Sequence, residues 1–236
     1  MTDKEHTQTI LELQTRWDKI RIANLYDALD AMGYPNQCLD LRIRPLFERR
    51  HLAGKAVTVQ GGRDPRTIEE REAAGEHDDY TVSIREHLFP GAVVVVETAG
   101  EFHTGKYGEM TSWNLQQSGA KGIVLDSYIR DRLGLEIIPD FTPCAIGTSP
   151  VESSRRWYPK ALNVPISLPG TLTTHVRINP GDWIVGGADG VIVVPQGIAE
   201  EALPEAEDIE ARETGMRNDL AAGVPFDKAF EKWGRA

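Results

Sequence analysis

The fold is decided by the stretch Ala92-Val93-Val94-Val95-Val96-Glu97. A continuous apolar run of this kind is typical of a strand that is buried on both faces of a sheet. Residues 108–119 then predict a helix, and Gly122-Ile123-Val124-Leu125-Asp126 predicts a second buried strand that ends in an acid. This strand–helix–strand unit indicates an α/β fold, in which ligands tend to bind at the carboxyl ends of the strands.

The sequence on both sides of this unit predicts further helices and strands. Apolar residues at helical spacing from Ile10 to Met32 predict one amphipathic helix that ends at Gly33-Tyr34-Pro35. Residues 61–77 indicate a loop or a short solvated helix, and helical spacing returns over residues 79–88. Strands are predicted at residues 52–59, 144–146, 164–166, 175–178, 183–185 and 190–194, and helices at about residues 199–222 and after Pro225. We therefore expect an α/β fold with a mixed sheet in a layered sandwich. We expect a single domain over residues 1–236, with a carboxyl-terminal helical extension over about residues 199–236.

Composition and charge exclude several classes of protein. The formal net charge is −10 and there is no basic stripe, which argues against nucleic acid as a partner. No apolar run approaches the roughly 20 residues that span a bilayer, and the polar start of the chain is unlike a signal peptide. We therefore expect a cytoplasmic protein that does not bind membranes. The two cysteines, Cys38 and Cys144, lie far apart and suggest neither a disulfide framework nor a zinc ribbon.

Several common catalytic motifs are absent from the sequence. It contains no GxGxxG, no GxxxxGK[ST], no HExxH and no GxSxG. Dinucleotide-dependent and nucleophilic hydrolase functions therefore have little support.

The strongest candidate for a site is Asp126-Ser127-Tyr128-Ile129-Arg130-Asp131, which directly follows the second buried strand. Arg130 has the planar donor geometry that binds a carboxylate through two parallel hydrogen bonds. Asp131 offers a hard oxygen ligand of the kind that Mg²⁺ and Mn²⁺ prefer. Taken alone, the pair has an alternative interpretation as a surface ion pair or a helix cap.

A second candidate element is Gly105-Lys106-Tyr107-Gly108-Glu109-Met110-Thr111. Glycines that lead into a helix leave backbone N–H groups free to bind an anion, although loop glycines without any such role are common. Together, the two elements would form a coherent site for a 2-oxo acid, with its carboxylate between Arg130 and these amides and a metal ion on Asp131.

The order of motifs along the chain resembles the family of 4-hydroxy-4-methyl-2-oxoglutarate aldolases, which also contains the regulator of ribonuclease E activity (the RraA-like family). The resemblance covers about residues 15–225. The matching stretches are residues 26–30, 53–59, 90–95, Gly108-Glu109-Met110, 119–126, Arg130-Asp131, Asn163-Val164-Pro165-Ile166, Pro180-Gly181-Asp182 and 189–195. The chain departs from the usual pattern at Ser127, where the family commonly has glycine, at Thr111-Ser112-Trp113 and at Gly186-Gly187-Ala188.

The resemblance implies a layered α/β sandwich of mixed β-sheets flanked by helices, the RraA-like or phosphohistidine-domain-like architecture. It implies homotrimers or homohexamers with sites between subunits. Arg130 would bind the substrate carboxylate, Asp131 would bind Mg²⁺ or Mn²⁺, and backbone amides near Gly108, Glu109, Met110 and Thr111 would complete the anion pocket. An acidic residue on the late helix of a neighbouring subunit would act on metal-bound water. Glu213 matches that position best and Glu210 second.

We therefore expect a metal-dependent lyase. The reaction would be retro-aldol cleavage of a 4-hydroxy-2-oxo acid with release of pyruvate, or decarboxylation of an acid such as oxaloacetate. Glu213 or Asp126 would transfer the proton, although Asp126 has an alternative role as a structural acid at a strand end.

Three alternatives stay open. A Schiff-base aldolase would use Lys55, and His103 and His175 are weak acid–base candidates. The second alternative is a non-catalytic regulator that binds a ribonuclease. The third is a lyase or isomerase that acts on a sugar-derived oxo acid.

Overall fold

The computed structural model describes residues 3–75 and 84–234, with side chains from residue 7 onward. The helices are α1 (Asp3–Trp17), α2 (Ile22–Ala31), α3 (Ile68–Ala73), α4 (Glu109–Gln117), α5 (Arg132–Glu136), α6 (Ala199–Ala221) and α7 (Phe226–Trp233). The strands are β1 (Arg44–Pro45), β2 (Leu52–Gly62), β3 (Ala92–Glu97), β4 (Gly105–Lys106), β5 (Ala120–Leu125), β6 (Tyr128–Ile129), β7 (Thr142–Ala145), β8 (Gly147–Thr148), β9 (Tyr158–Leu162), β10 (Ile166–Pro169), β11 (His175–Ile178), β12 (Trp183–Gly187) and β13 (Gly190–Val194).

The main sheet is mixed, as expected. Its order is β1-β7-β5-β3-β2-β12-β13. The neighbouring strands β2, β3, β5 and β7 run parallel, whereas β1, β12 and β13 are antiparallel to their neighbours. The first half of β2 pairs with β12 and its second half pairs with β9, so this strand connects early and late parts of the chain.

The two faces of the main sheet are covered by different layers. On one face, Val57, Val94 and Ile123 pack beneath the helical layer that contains Leu115 of α4 and Leu135 of α5. The same face continues at β12 and β13, which pack against α1, α2 and α6. On the other face, the core includes Val95 and residues of the antiparallel hairpin β10–β11. The molecule is therefore a layered α/β sandwich, and the alternation of side chains along each strand separates its layers.

A small second sheet extends the parallel strands at their carboxyl ends. The chain leaves β3, β5 and β7 and then forms β4, β6 and β8, which pair in the order β4-β6-β8 and run parallel. This small sheet carries both candidate elements of the sequence into one region, since β4 leads to Gly108 and β6 leads to Asp131. The expected location at the carboxyl ends of the strands is therefore where these residues lie.

Several local predictions were wrong. The predicted single helix from Ile10 to Met32 is two helices, because the chain breaks at residues 18–21 between α1 and α2. Ile20, in this break, is as buried as the helix residues around it, so the apolar spacing conceals the turn. The strand predicted at residues 164–166 begins only at Ile166, and β9 was not predicted. The helix predicted over residues 79–88 falls partly outside the described residues, and positions 84–85 are helical.

The two cysteines are free, with Cys144 buried and Cys38 partly buried. Burial raises the pKa of the Cys144 thiol well above its usual range, so this side chain behaves as a small apolar core residue. Within the described ranges, no helix has both the length and the apolar character needed to cross a bilayer.

Candidate active site

The pairing of β4 with β6 determines which residues meet in the candidate site. Lys106 is paired with Ile129 in parallel register, so the chain positions two residues further along each strand, Gly108 and Asp131, also come together. A Cβ atom added to Gly108 would lie 2.4 Å from Asp131 Oδ2. Only glycine leaves room for the carboxylate at this point, which explains why the loop before α4 has a glycine here.

Asp131 lies at the amino end of α4 and has an unusual backbone conformation. Its φ and ψ angles are 62° and 50°, in the left-handed region that aspartate and asparagine tolerate better than most residues. Its Oδ2 accepts a hydrogen bond of 3.3 Å from the backbone N–H of Glu109. The side chain remains 45% exposed, so one face of the carboxylate is accessible to a ligand.

Arg130 lies between two carboxylates. Its Nε is 3.5 Å from Asp131 Oδ1, and its Nη1 is 3.7 Å from Glu152 Oε1. Both contacts are long for hydrogen bonds, and the Arg130 side chain is 35% exposed. The guanidinium therefore keeps donors that a substrate carboxylate can use, and Glu152 occupies one side of it in the free protein.

The amino end of α4 also provides backbone donors. The N–H of Glu109 is used by Asp131, whereas those of Met110 and Thr111 have no partner among the described residues. These two amides begin a helix of nine residues and lie next to the Asp131 carboxylate. Such amides favour an anion through their hydrogen bonds and through the helix dipole.

A buried ion pair supports the loop that carries Arg130. Lys106 is fully buried, and its ammonium contacts the carboxylate of Glu101, which is also buried. Lys106 Nζ donates further hydrogen bonds to the carbonyl oxygens of Glu101 and Thr104 and to Ser127 Oγ, at 3.1, 3.2 and 3.1 Å. The Ser127 hydroxyl in turn donates to the Glu101 carbonyl. Ser127 is thus part of this network.

The network changes the ionisation of its members. Burial opposes ionisation of Glu101, but hydrogen bonds from Lys106, Thr104 and the His103 amide outweigh it and hold the pKa of Glu101 at about 2. Burial lowers the pKa of Lys106, and the Glu101 carboxylate opposes that change. With four acceptors around its ammonium and no exposure, Lys106 is not placed to attack a substrate.

Asp126 lies at the end of β5, where it joins two strands. Its Oδ1 accepts hydrogen bonds from the Thr98 backbone N–H at 2.8 Å and from the Thr98 hydroxyl at 2.7 Å. Burial raises the pKa of Asp126, although the Thr98 hydrogen bonds act in the opposite direction. Only 4% of this residue is exposed, so the geometry favours a role in holding the ends of β3 and β5 together.

Glu213 is not brought to Arg130 within one chain. It lies on α6, where its Oε2 accepts a hydrogen bond of 2.8 Å from Arg217. The second candidate on that helix, Glu210, accepts hydrogen bonds from Asn24 and from the Arg21 backbone. Because α6 packs mainly on α2, either acid would have to reach the site from another copy of the chain.

The alternative catalytic residues lie elsewhere or face solvent. Lys55 lies near the start of β2, at the opposite end of the parallel strands. His175 is exposed on β11, and His103 is exposed in the loop before β4. The backbone N–H of His103, rather than its ring, bonds to Glu101.

The oxygen ligands at Asp131 suit only some metals. Within the described part of the chain, no cluster of three or more His, Cys, Asp or Glu side chains could hold a metal ion. The accessible carboxylates beside Arg130 are those of Asp131 and Glu152, which are 45% and 63% exposed. Mg²⁺ and Mn²⁺ fit such a site, because they bind through one or two carboxylates and keep several water molecules.

Two contributors were missed from the sequence, namely the buried Lys106–Glu101 pair and Glu152. The sequence did show a lysine between Gly105 and Tyr107, but nothing in its spacing to Glu101 identified a buried partner. Glu152 reaches Arg130 only because Gly105 forms a bridge with Glu152 in the fold.

Gly108→Ala is expected to weaken Mn²⁺ binding at least tenfold without unfolding the protein, since disturbing the groups around a metal ligand costs roughly 10- to 100-fold in affinity or activity. The new Cβ would collide with Asp131 Oδ2. Gly197→Ala is the matched control, because a Cβ there meets no atom within 4 Å. Thermal unfolding and Mn²⁺ titration of both variants check the result. Equal Mn²⁺ affinity in Gly108→Ala and in the wild type would contradict it.

Comparison with known families and structures gives a consistent result. Residues 22–193 match the RraA-like family model, described as Aldolase/RraA. A protein of Halalkalibacterium halodurans named "Putative 4-hydroxy-4-methyl-2-oxoglutarate aldolase" is 31% identical over 220 residues, which is 92% of this chain and 94% of that protein.

Solved structures share the fold. RraAS2 of Streptomyces coelicolor, described as an unusual member of the RNase ES inhibitor RraA protein family, has a TM-score of 0.74 and 26% identity over 87% of this chain and 96% of that one. An uncharacterised protein of Pseudomonas syringae pv. tomato has a TM-score of 0.76 with 23% identity, covering 93% and 96% of the two chains. The second similarity concerns the fold alone.

Proposed function

The chain belongs to the RraA-like (Aldolase/RraA) family, and on that premise we propose that it is a divalent-metal-dependent lyase acting on a 2-oxo acid. The observation that carries the proposal is the position of the Asp131 carboxylate. It lies at the amino end of α4 with Arg130 beside it. An accessible acid, an arginine and two free backbone amides within one small region match the needs of a 2-oxo carboxylate and its counter-ion.

The proposed roles follow from the contacts of each residue. Arg130 binds the substrate carboxylate through parallel hydrogen bonds and displaces Glu152 from its side. The amides of Met110 and Thr111 donate to the same carboxylate, and Gly108 leaves space for the Asp131 side chain next to them. Asp131 holds Mg²⁺ or Mn²⁺, which would supply Lewis-acid stabilisation of the charge that develops on the 2-oxo oxygen.

Carbon–carbon cleavage of a 4-hydroxy-2-oxo acid requires removal of the hydroxyl proton, and release of pyruvate requires return of a proton to its methyl carbon. Asp126 is buried and its Oδ1 accepts two hydrogen bonds from Thr98. We therefore propose that Asp126 positions the segment that leads from β5 to Arg130. Glu213 of a neighbouring copy is our candidate for proton transfer. Within one chain its carboxylate pairs with Arg217 on the same helix, at 2.8 Å.

We propose a homotrimer or homohexamer with the site between subunits. Three apolar side chains beside the site support this arrangement: Met110, Leu133 and Ile137 are 70%, 81% and 68% exposed. Apolar side chains grouped at such exposure are typical of a contact surface. A second copy covering them would exclude water and could bring α6 to Arg130.

The test is pyruvate release measured with lactate dehydrogenase. With 4-hydroxy-4-methyl-2-oxoglutarate or oxaloacetate as substrate, we expect pyruvate in the presence of Mg²⁺ or Mn²⁺ and none after chelation with EDTA. Restoring the cation should restore the rate. Pyruvate formed equally in EDTA would exclude the metal, and borohydride trapping of the substrate on Lys55 would then test the Schiff-base alternative. If neither acid yields pyruvate, neither is a substrate, and sugar-derived oxo acids should be assayed next.

The second candidate function is binding to a ribonuclease, which the similarity to RraAS2 favours. Fold alone does not separate these functions. A pull-down measures this binding directly: the protein is immobilised, and the amount of purified RNase E-type enzyme that it retains is determined. If the protein is only a regulator, substitution of Asp131 will leave this retention unchanged and no oxo acid will be consumed.

A further inference from the structure

A separate cavity of about 270 Å³ lies away from the candidate active site. It is bordered by α1, the first part of β2, β12 and the start of α6, and it is open to solvent on one side. Lys55, on its wall, pairs with Ala92 at the beginning of β3, whereas Arg130 and Asp131 lie beyond the carboxyl ends of the parallel strands. The cavity and the candidate active site are therefore at opposite ends of the sheet.

The wall of this cavity is mainly apolar. Ile10, Leu13 and Trp17 contribute from α1, and Trp183 contributes from β12. The rings of Trp17 and Trp183 are in contact, with centroids 6.1 Å apart. Both tryptophans are almost fully buried in the core, so they form the floor of the cavity and expose little of their surface to it.

Lys55 is the exception in this apolar wall. It is half-buried, and its Nζ lies 5.8 Å from the centroid of the Trp183 ring. None of the carboxylates in the described ranges forms an ion pair with it, and both oxygens of the nearby Asp182 are occupied by backbone N–H groups of Asn179 and Gln196. Burial lowers the pKa of Lys55. The charge of Asp182 opposes this change only in part, and no carboxylate in the described ranges is in direct contact with the ammonium, so a bound anion would offset the remaining cost of desolvation.

We propose that this cavity is a binding site for a small amphipathic carboxylate. The carboxylate pairs with Lys55, and the apolar part of the ligand packs against Leu13, Trp17 and Trp183. The proposal does not depend on the metal-dependent lyase function, because none of these residues lies beside Arg130 and Asp131.

The charges around the cavity restrict the ligand further. An alkylamine would be repelled by Lys55, and a neutral alcohol would leave the ammonium without a counter-ion. Glu200 lies exposed at the wall and is not within ion-pair distance of Lys55, so it would repel a second negative charge on the ligand. A monocarboxylate with an apolar tail is the class that satisfies these conditions.

The experiment uses hexanoate as the probe and follows intrinsic tryptophan fluorescence, with calorimetry as a second measurement. We expect saturable binding of hexanoate, and weaker or absent binding of 1-hexanol and hexylamine at equal concentrations. Lys55→Met should weaken hexanoate binding about tenfold or more, since a charge-assisted contact is lost. Glu200→Gln should strengthen it a few-fold, because a repulsive charge is removed.

Lys19→Met is the matched control, because Lys19 is exposed just beyond the end of α1 and does not line the cavity. It should bind hexanoate like the wild type. Lys55→Met should unfold at the same temperature as the wild type or higher, since an apolar chain replaces a desolvated cation. Equal affinity of the wild type for hexanoate and 1-hexanol, unchanged hexanoate binding in Lys55→Met, or no saturable binding in calorimetry would each overturn the proposal. The comparison of hexanoate with 1-hexanol and the calorimetric test both use the wild-type protein, so neither depends on the folding of a variant.

Discussion

Asp131→Asn is expected to lower kcat/KM for pyruvate release by more than about 100-fold while leaving the protein folded. Removing a residue that merely orients a metal ligand costs roughly 10- to 100-fold, and loss of the ligand's charge should exceed this. Asparagine tolerates the left-handed backbone of this position and can still accept the Glu109 amide, so the loop should remain in place. The measurement is kcat/KM as a function of Mg²⁺ concentration, with circular dichroism to confirm folding.

Asp140→Asn provides a matched control for this substitution. Asp140 is exposed and also has a positive φ angle, of 50°, but it lies in the loop before β7 at the other end of the strands. It should retain the wild-type kcat/KM. If Asp131→Asn had the same kcat/KM and Mg²⁺ dependence as Asp140→Asn, Asp131 would not be the metal ligand.

Asp131→Asn also tests whether each site is shared between two copies of the chain. Glu213→Gln removes the proposed proton-transfer group while Asp131 stays intact. Each variant alone should be nearly inactive. Subunits of Asp131→Asn and Glu213→Gln that are mixed, unfolded and refolded together should regain part of the activity, because some sites would then combine an intact Asp131 with an intact Glu213. No recovery in verified mixed oligomers would place both residues in the same subunit's site, or remove Glu213 from it.

Lys106→Met is expected to lower the free energy of unfolding by about 3–5 kcal/mol at neutral pH, the usual consequence of removing one partner from a buried ion pair. The Glu101 carboxylate would keep only its contacts with Thr104, the His103 amide and the distant Arg63, whose Nη2 is 3.7 Å away. Urea unfolding at pH 7 measures the change. Lys160→Met, on the exposed surface of β9, is the control and should change the free energy of unfolding little.

The pH dependence identifies the cause of this loss. Glu101 has a pKa of about 2 in the folded protein against an ordinary value of 4.5, so its ionisation stabilises the wild type above pH 4.5. That contribution is lost as the pH falls from 4.5 toward 2. In Lys106→Met, burial without the ammonium should raise the pKa of Glu101, and protonation in mild acid then removes the buried charge. The difference between variant and wild type should therefore shrink below about pH 4.5.

Adding Glu101→Gln to Lys106→Met should recover part of the lost stability, because no buried charge then remains. Two results would contradict a stabilising buried ion pair between Lys106 and Glu101. One is a difference in the free energy of unfolding between Lys106→Met and the wild type that stays constant from pH 7 to pH 3. The other is a loss of less than about 1 kcal/mol at pH 7, as for a surface pair.

Most long elements of the fold could be predicted from the sequence, because their apolar patterns reflect burial directly. The runs around Val94 and Val124 are uniformly apolar, and both became fully buried parallel strands. The break between α1 and α2 could not be predicted, since Trp17 and Ile20 are buried on both sides of the turn. The edge strand β9 carries Pro159 and the exposed Lys160, which are uncommon in strands, so its sequence resembles a loop.

The candidate site could be predicted as a set of residues but not as an arrangement. Arg130 and Asp131 follow a buried strand, and that position is readable from the sequence. Their distance to Gly108 and Glu109 depends on the register of β4 and β6, two strands of two residues each, which have no readable apolar pattern. The burial of Lys106 likewise depends on long-range packing, because lysine is seldom buried without a partner and its partner cannot be identified from spacing.

The pairing of β2 also has a consequence for the order of folding. One edge of this early strand is completed by β12, where Lys55 pairs with Trp183. During synthesis that edge therefore stays without its partner until the last quarter of the chain has left the ribosome. A nascent or truncated chain that lacks residues 183–194 presents an apolar strand edge that is open to pairing with other chains. The sheet is thus closed by its latest strands, and contacts of such long range are typical of slow folding and of a need for protection against aggregation before completion.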